Sequence, residues 1–128
     1  MSELEPLLFA NEAFYQAFAD GDAQAMREVW STEAAASCLH PGWGAIIGND
    51  EVLKSWMAIL ANPDAPAIAC RDATGRIQGD IGIVICFEQL GDVSLIATNL
   101  FHREGGAWKM IHHQAGPTTA VPGPETER

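Results

Sequence analysis

Three side chains of this sequence could take part in proton-transfer chemistry within largely apolar surroundings: His40, Asn99 and His113. A histidine changes its protonation near neutral pH, so His40 or His113 could act as a general acid or base. An asparagine amide can donate hydrogen bonds to a developing oxyanion. Asn99 also lies inside an apolar strand pattern, where a buried amide is costly unless it is paired. We therefore predict these three residues as the catalytic candidates.

Each candidate also has a structural interpretation. His40 precedes Pro41, so its ring could shape a turn by bonding a backbone carbonyl. A hydrogen bond to His40 or His113 would satisfy Asn99 equally well. Adjacent strand residues point to opposite faces, so His112 and His113 cannot share one ligand. We place His113 in a pocket and His112 at an interface or on the surface.

Motifs for metals and cofactors are missing from the sequence. Cys38 and His40 lie one residue apart, but they lack a partner pair at the spacing of zinc sites, so we predict no metal. The sequence has no dinucleotide-binding GxGxxG after a strand and no P-loop, so we predict no cofactor. The three cysteines form an odd set without a CxxC spacing, which argues against a disulfide framework.

The charge balance excludes whole classes of partner. Seven basic and seventeen acidic residues give a formal net charge of −10, whereas nucleic acid and anionic membranes attract basic surfaces. No apolar run approaches the roughly 20 residues of a membrane helix. The first residues are acidic where a secretory signal would be basic, so we expect a cytoplasmic location and no nucleic acid or membrane partner.

The elements that must position these candidates are helices in the first half and strands in the second. A helix from Pro6 is indicated by Leu7, Asn11, Phe14 and Phe18 at three- and four-residue spacing. Gly21 and Asp22 suit its end and the cap of the next helix, 23–30. A third helix starts at Asn49 or Asp50 and is ended by 62–66. Strands are predicted at 34–39, 45–47, 67–73, 77–90, 93–103 and 107–115.

This element order predicts one α+β domain, residues 1–117, with an antiparallel meander and a disordered tail, residues 118–128. Three helices cannot cover both faces of so long a sheet. We therefore expect the uncovered face to pair with a second copy of the chain.

Three phrases of the sequence resemble one family. The stretch 14–22 looks like its first helix and Gly-Asp junction, 40–50 like its strand, turn and helix start, and 101–113 like its closing hairpin. The chain, over about residues 6–117, is similar to nuclear transport factor 2, ketosteroid isomerase and SnoaL-like proteins. The resemblance implies a cone-shaped curled antiparallel sheet packed against three N-terminal-half helices. It also implies a deep pocket and a homodimer through the convex sheet face.

The isomerase residues do not carry over intact. Taking Gly21-Asp22 as register, the family's tyrosine falls on Phe14 and its sheet aspartic acid on Asn99. Its Asp-Pro pair falls on His40-Pro41 or, without an insertion, on Cys38. Steroid isomerisation by that mechanism is therefore not expected. The same register and strand parity give these ligand-binding candidates: Phe14, Phe18, Trp43, Trp56, Ile83, Ile85, Phe87, Phe101 and Ile111.

The predicted function is an apolar pocket for a small, carbonyl-containing ligand. Its chemistry would be proton transfer next to the carbonyl, as in isomerisation, cyclisation or dehydration. In this hypothesis His40 or His113 moves the proton and Asn99 steadies the oxyanion. The alternative is a non-catalytic ligand carrier, or an assembly domain resembling the association domain of calmodulin-dependent kinases. The sequence leaves open whether the chain is an enzyme.

Overall fold

The computed structural model describes residues 3–124, which form helices followed by a six-stranded sheet. The elements are α1 (Leu4–Asp20), α2 (Ala23–Val29), β1 (Ser37–Leu39), β2 (Ile46–Ile47), α3 (Asn49–Ala61), β3 (Ala69–Gln78), β4 (Ile81–Leu90), β5 (Val93–Glu104) and β6 (Ala107–Pro117). The sheet order is β2-β1-β6-β5-β4-β3, and the three helices pack on its concave side. The predicted α+β class, with a curled sheet against three helices, is confirmed.

One strand pairing differs from the predicted antiparallel sheet. β1 runs parallel to β6, with Cys38 opposite His113, while the other neighbouring strands are antiparallel. β1 and β6 lie far apart in the chain, so no hairpin turn fixes their relative direction. This parallel pairing brings the segment that ends at His40 next to the strand that carries His113.

The junction between the first two helices is as predicted. α1 ends at Gly21, whose φ of 61° is the left-handed conformation that glycine adopts without steric cost. Asp22 then caps α2, because its Oδ1 accepts a hydrogen bond of 3.0 Å from the backbone N–H of Ala25.

The hairpin between β3 and β4 was missed in the sequence, where residues 77–90 read as one strand. Gly79 and Asp80 form a two-residue turn, and Gly79 takes a φ of 61°. The turn is held from outside, since the Asp80 carbonyl accepts a hydrogen bond of 2.8 Å from the N–H of Arg103. Ile77 before the Gly-Asp pair and the apolar run after it concealed the reversal of the chain.

α1 packs closely against the sheet at Gly82 of β4. A Cβ atom at Gly82 would lie 2.5 Å from Cδ1 of Leu7, so Leu7 packs where a side chain of β4 would otherwise stand. Around this contact the largest buried side chains fill the space between helices and sheet. They include Phe14, Trp56, Phe101 and Met110.

Residues 118–124 follow β6 without regular structure. The Gly123 N–H donates to Oδ2 of Asp72 at 2.6 Å, and the Arg71 guanidinium donates to the Gly123 carbonyl at 2.7 Å. This part of the tail is therefore bonded to β3. The rest of the tail that we predicted to be disordered, 125–128, lies outside the described residues, as do residues 1 and 2. Among residues 3–124, no helix is long and apolar enough to cross a membrane.

Candidate active site

A cavity of about 350 Å³ lies between α1, α3 and the concave sheet face. Its walls are mostly aromatic and aliphatic, and its polar groups are two histidines, a tyrosine, a glutamate and an asparagine at the rim. The lining residues are Phe14, Tyr15, Phe18, His40, Pro41, Trp43, Trp56, Ile59, Asn62, Ala65, Pro66, Ile68, Glu88, Leu90, Leu95 and His113. An apolar pocket with a few convergent polar groups is typical of a small-molecule site.

A chain of amides fixes the ring of His113. Its Nδ1 lies 2.6 Å from Oδ1 of Asn99, and the Asn99 amide nitrogen donates to Oδ1 of Asn11 at 2.8 Å. Because an amide oxygen can only accept, these partners assign the ring proton of His113 to Nδ1. The other ring nitrogen, Nε2, is left as an acceptor. Burial and the nearby His40 and His112 lower the pKa of His113 to about 3, so the ring is neutral at physiological pH.

Asn99 does not line the cavity, contrary to its predicted role as an oxyanion donor. It is fully buried, and its amide nitrogen donates to Asn11 and to the Tyr15 hydroxyl, the latter at 3.2 Å. Both amide hydrogens are therefore used inside the protein. The structural alternative considered for Asn99, a hydrogen bond to His113, is the one that the structure contains.

Tyr15 and Glu88 join this network from opposite sides of the fold. The Tyr15 hydroxyl donates to Oε2 of Glu88 at 2.7 Å and lies 3.3 Å from Sγ of Cys86. Burial and the neighbouring Cys86 and Glu88 raise the pKa of Tyr15, so its hydroxyl keeps its proton. Burial also raises the pKa of Glu88, and the hydrogen bond from Tyr15 only partly offsets this. Glu88 is thus a carboxyl group with an increased tendency to hold a proton.

The Glu88 carboxyl meets the free nitrogen of His113. Oε2 of Glu88 lies 3.7 Å from Nε2 of His113, and the two side chains are 4 % and 3 % exposed. Within residues 3–124, neither side chain has an ion-pair contact other than the one with its neighbour here, and the ionic form of each is buried. A protonated carboxyl beside a neutral imidazole is the arrangement that burial favours for both groups.

His40 completes the polar lining from the loop after β1. Its Nε2 lies 2.9 Å from Oγ of Ser55, whose own proton goes to the Val52 carbonyl at 2.7 Å. The ring of His40 is 5 % exposed and packs edge-on against Trp43 and Trp56, and burial lowers its pKa. The ring centroids of His40 and His113 are 6.5 Å apart. Two neutral histidines therefore face one cavity.

Four of the predicted ligand-binding residues line the cavity: Phe14, Phe18, Trp43 and Trp56. Trp43 stands at the mouth with 53 % of its surface exposed, whereas Trp56 is buried in the wall. Phe101 shares the concave face but is fully buried in the core, outside the cavity lining.

Ile83, Ile85 and Phe87 do not line the cavity, contrary to their predicted position, because they lie on the convex face of β4. Pairing with β5 sets Val84 opposite Asn99, so the even-numbered residues of β4 face the helices. Ile111 is also outside the cavity lining, for a related reason. The register shifts beside Leu100 and Phe101, and the buried Met110 takes the inward position.

Glu88 and Tyr15 were missed in the sequence. Glu88 stands in the long apolar pattern of residues 81–90 and shares the parity of Val84 and Cys86, which would have been a usable signal once the register was known. Tyr15 is only 6 % exposed, although tyrosines often pack at an edge with the hydroxyl in water. A helical tyrosine one step from Phe14 gives no sequence sign of a partner 73 residues away.

The cavity does not present a reactive thiol. Cys38 lies 3.7 Å from Nε2 of His40, but burial raises its pKa to about 12, so the thiol stays protonated. Among residues 3–124, no group of three or more histidine, cysteine, aspartate or glutamate side chains is arranged to hold a metal ion.

Solved structures share this fold over nearly the whole chain. A proposed dehydratase of the NTF2-like family from Streptomyces avermitilis is 31% identical, with a TM-score of 0.82 over 92% of this chain and 97% of the other. A proposed calcium/calmodulin-dependent protein kinase type II association domain from Thiobacillus denitrificans is 28% identical, with a TM-score of 0.70 over 86% and 93%. The CaMKII hub of S. rosetta, at 16% identity, has a TM-score of 0.75 over 92% and 98% and shows the fold alone.

A curated relative is the F-box protein SKIP8 of Arabidopsis thaliana, 23% identical over 111 residues. The match covers 85% of this chain but only 48% of that relative, so the chain spans about half of its length. The SnoaL-like domain profile matches residues 8–119, which include α2, α3, all six strands and most of α1. The chain therefore belongs to the SnoaL-like domain family, within the NTF2-like superfamily.

Proposed function

We propose that this SnoaL-like protein binds a small, mainly apolar molecule in the cavity and catalyses proton transfer on it, with Glu88 and His113 as acid and base. The observation that carries the proposal is the contact of 3.7 Å between Oε2 of Glu88 and Nε2 of His113. General acid–base catalysis needs one group that gives a proton and one that takes it, within reach of one substrate. The two groups meet this requirement at the wall of one apolar cavity.

Asn99, Asn11 and Tyr15 act as positioning residues in this proposal. Asn99 holds the Nδ1–H of His113, and Asn11 orients Asn99 in turn. Tyr15 holds the carboxyl of Glu88. His40 lies across the cavity as a ligand contact. This assignment replaces the oxyanion role first expected for Asn99.

Among isomerisation, cyclisation and dehydration, the proposed dehydratase from Streptomyces avermitilis favours dehydration. In that reaction Nε2 of His113 takes the proton from the carbon next to a carbonyl. Glu88 gives its proton to the hydroxyl on the following carbon, which leaves as water while the double bond forms. The remaining imidazolium and carboxylate stand 3.7 Å apart, so the proton returns from Nε2 to Oε2 and restores both groups.

The test uses 5-nitrobenzisoxazole, a neutral aromatic probe whose C–H proton is removed as its N–O bond breaks. Removal by His113, with Glu88 protonating the phenolate, should exceed the buffer rate by about 100-fold. His113→Gln and Glu88→Gln should each lose most of this acceleration. His102→Gln, which changes a histidine outside the cavity lining, is the matched control and should keep it. A wild-type rate equal to buffer, or unchanged rates in both cavity variants, would refute the acid–base roles.

A second proposal concerns assembly, and the convex sheet face favours it. Ile85 and Ile96 lie on adjacent strands of that face and are 38 % and 36 % exposed, and Ile47 at its edge is 70 % exposed. We propose that a second copy of the chain covers Ile85 and Ile96 to form a homodimer, because neighbouring exposed apolar side chains mark interaction sites. The proposed association-domain relative from Thiobacillus denitrificans, 28% identical, supports self-association.

A further inference from the structure

We infer that the ligand of this cavity is an uncharged, hydroxyl-bearing compound, held by its own O–H groups on histidine nitrogens. The inference rests on the proposed function, because it concerns the same cavity and names the chemical class that the cavity would select. The hydrogen-bond donors and acceptors that the protein itself leaves unused select this class.

His113 offers an acceptor and no donor. Its Nδ1–H is committed to Oδ1 of Asn99 at 2.6 Å, and the orientation of Asn99 is fixed because its amide nitrogen has two acceptors, Asn11 and Tyr15. Reversing the proton on His113 would set a bare Nδ1 against the lone pairs of an amide oxygen in a fully buried place. Nε2 therefore keeps its lone pair for the cavity.

His40 also keeps one bare ring nitrogen, but its hydrogen-bond partners differ from those of His113. Ser55 gives its only proton to the Val52 carbonyl at 2.7 Å, so Oγ of Ser55 can only accept from Nε2–H of His40 at 2.9 Å. The second nitrogen, Nδ1, has the Cys38 thiol at 4.0 Å, which is too far for a strong hydrogen bond. Both histidines line the cavity, and each keeps one bare ring nitrogen.

The remaining donors of the lining are used, buried away from the cavity or at its rim. The Tyr15 hydroxyl donates to Glu88. The indole N–H of Trp56 is fully buried beside Cys38 rather than open to the cavity. The side chain of Asn62 lies at the exposed rim, where its oxygen accepts from the Asp64 N–H. A ligand that offered only acceptors, such as a simple ketone, would leave both histidine nitrogens unpaired.

The charge of the cavity lining and the Glu88 carboxyl determine which hydrogen-bond donor of a ligand fits the cavity. The lining contains no lysine or arginine, so an anionic ligand would be buried without a counter-charge beside an acidic group. A hydroxyl can donate to a histidine nitrogen and accept from protonated Glu88 at the same time. This double role favours a hydroxyl over an ammonium group, which cannot accept.

The first test measures the histidine tautomers directly, in the full chain labelled with ¹⁵N. Long-range ¹H–¹⁵N spectra distinguish protonated from bare ring nitrogens, and His40→Gln and His113→Gln assign the signals. We expect a bare Nε2 on His113 and a bare Nδ1 on His40 near neutral pH. A proton on Nε2 of His113 would overturn the inference whatever the protein binds.

The second test compares three probes of similar shape by titration calorimetry: 2,3-dihydroxynaphthalene, 2,3-dimethoxynaphthalene and 2-naphthoate. We expect the dihydroxy probe to bind at least about tenfold more tightly than the dimethoxy probe, and 2-naphthoate to bind most weakly. His113→Phe should remove most of the dihydroxy preference. Equal affinities, or tightest binding of 2-naphthoate, would overturn the inference.

The two proposals fail separately. A preference for the dihydroxy probe without acceleration of 5-nitrobenzisoxazole would leave the ligand class standing and refute the acid–base roles. Acceleration without any dihydroxy preference would do the reverse. If none of the three probes bound, and Ile59→Trp in the lining behaved like Val121→Trp outside it with 5-nitrobenzisoxazole, both would be overturned.

Discussion

Nε2 of His113 lies 3.7 Å from Oε2 of Glu88, and both side chains are at most 4 % exposed. The two residues come from β6 and β4, which are separated by β5 in the sheet. Burial lowers the pKa of the histidine and raises that of the glutamate, so the proton resides on the carboxyl over a wider pH range than in water. The consequences are measurable in stability as well as in catalysis.

Replacing His113 should change how stability depends on acidity. The unfolded chain protonates this ring near pH 6.5, whereas the folded chain does so only near its pKa of about 3. The unfolded state therefore binds more protons between these values, and the free energy of unfolding falls as the pH drops through this window. The contribution of this ring is about 1.4 kcal/mol per pH unit.

His113→Gln keeps an N–H for Asn99 but cannot titrate, so its unfolding free energy should fall less steeply with acid than that of the wild type. Urea denaturation at several pH values from 4 to 7 measures the difference. Gln114→Ala, which changes an exposed neutral residue of the same strand, serves as the control and should follow the wild-type curve. Parallel curves for wild type and His113→Gln would show that the ring of His113 is not buried in its neutral form.

Tyr15→Phe should raise the pKa of Glu88 still further, because the variant removes the hydrogen bond that lowers it. It should also cost about 1–3 kcal/mol of stability, since the carboxyl and the Asn99 amide lose a buried partner. Carboxyl ¹³C titration of Glu88 measures the first effect, and urea denaturation measures the second. A Glu88 titration unchanged by the substitution would contradict the network.

Gly82→Ala should destabilise the protein by about 1–3 kcal/mol, because the new methyl group would overlap the Leu7 side chain. Gly116→Ala is the matched control on β6, where an added Cβ has no atom within 4 Å, and it should have little effect. Adding Leu7→Ala to Gly82→Ala should cost less than the sum of the two single changes. Additive costs, measured by thermal and urea denaturation, would show that Leu7 does not restrict position 82.

Ile85→Asp should weaken self-association, because it buries a charge at the centre of the proposed convex interface. Sedimentation velocity over a range of concentrations should show a dimer or larger assembly for the wild type and a shift towards monomer for the variant. Val93→Asp, an exposed residue beside the β4–β5 turn, is the control and should leave the assembly unchanged. A wild type that is monomeric at every concentration would exclude the interface.

The sequence by itself determined the parts of this protein that depend on local signals. The three- and four-residue spacing of Leu7, Asn11 and Phe14 defines the inward face of α1, and Gly21 with Asp22 defines its junction with α2. The stretches 40–50 and 101–113 indicate the family. Alternation of side chains along one strand places His113 and His112 on opposite faces of the sheet. These features follow from helix caps, turns and periodicities, each of which spans only a few residues.

The tertiary structure alone decided which side chains meet. Pairing of β4 with β5 turned Glu88 towards the helices and Ile85 away from them, and a shift in register replaced Ile111 by Met110. The Tyr15 hydroxyl then reached Glu88 across 73 residues of chain. A shift of one residue in register exchanges the two faces of a strand, and register depends on contacts distant in sequence. For that reason the sequence predicted a pocket with a histidine in it, while only the folded chain defined the carboxyl beside that histidine.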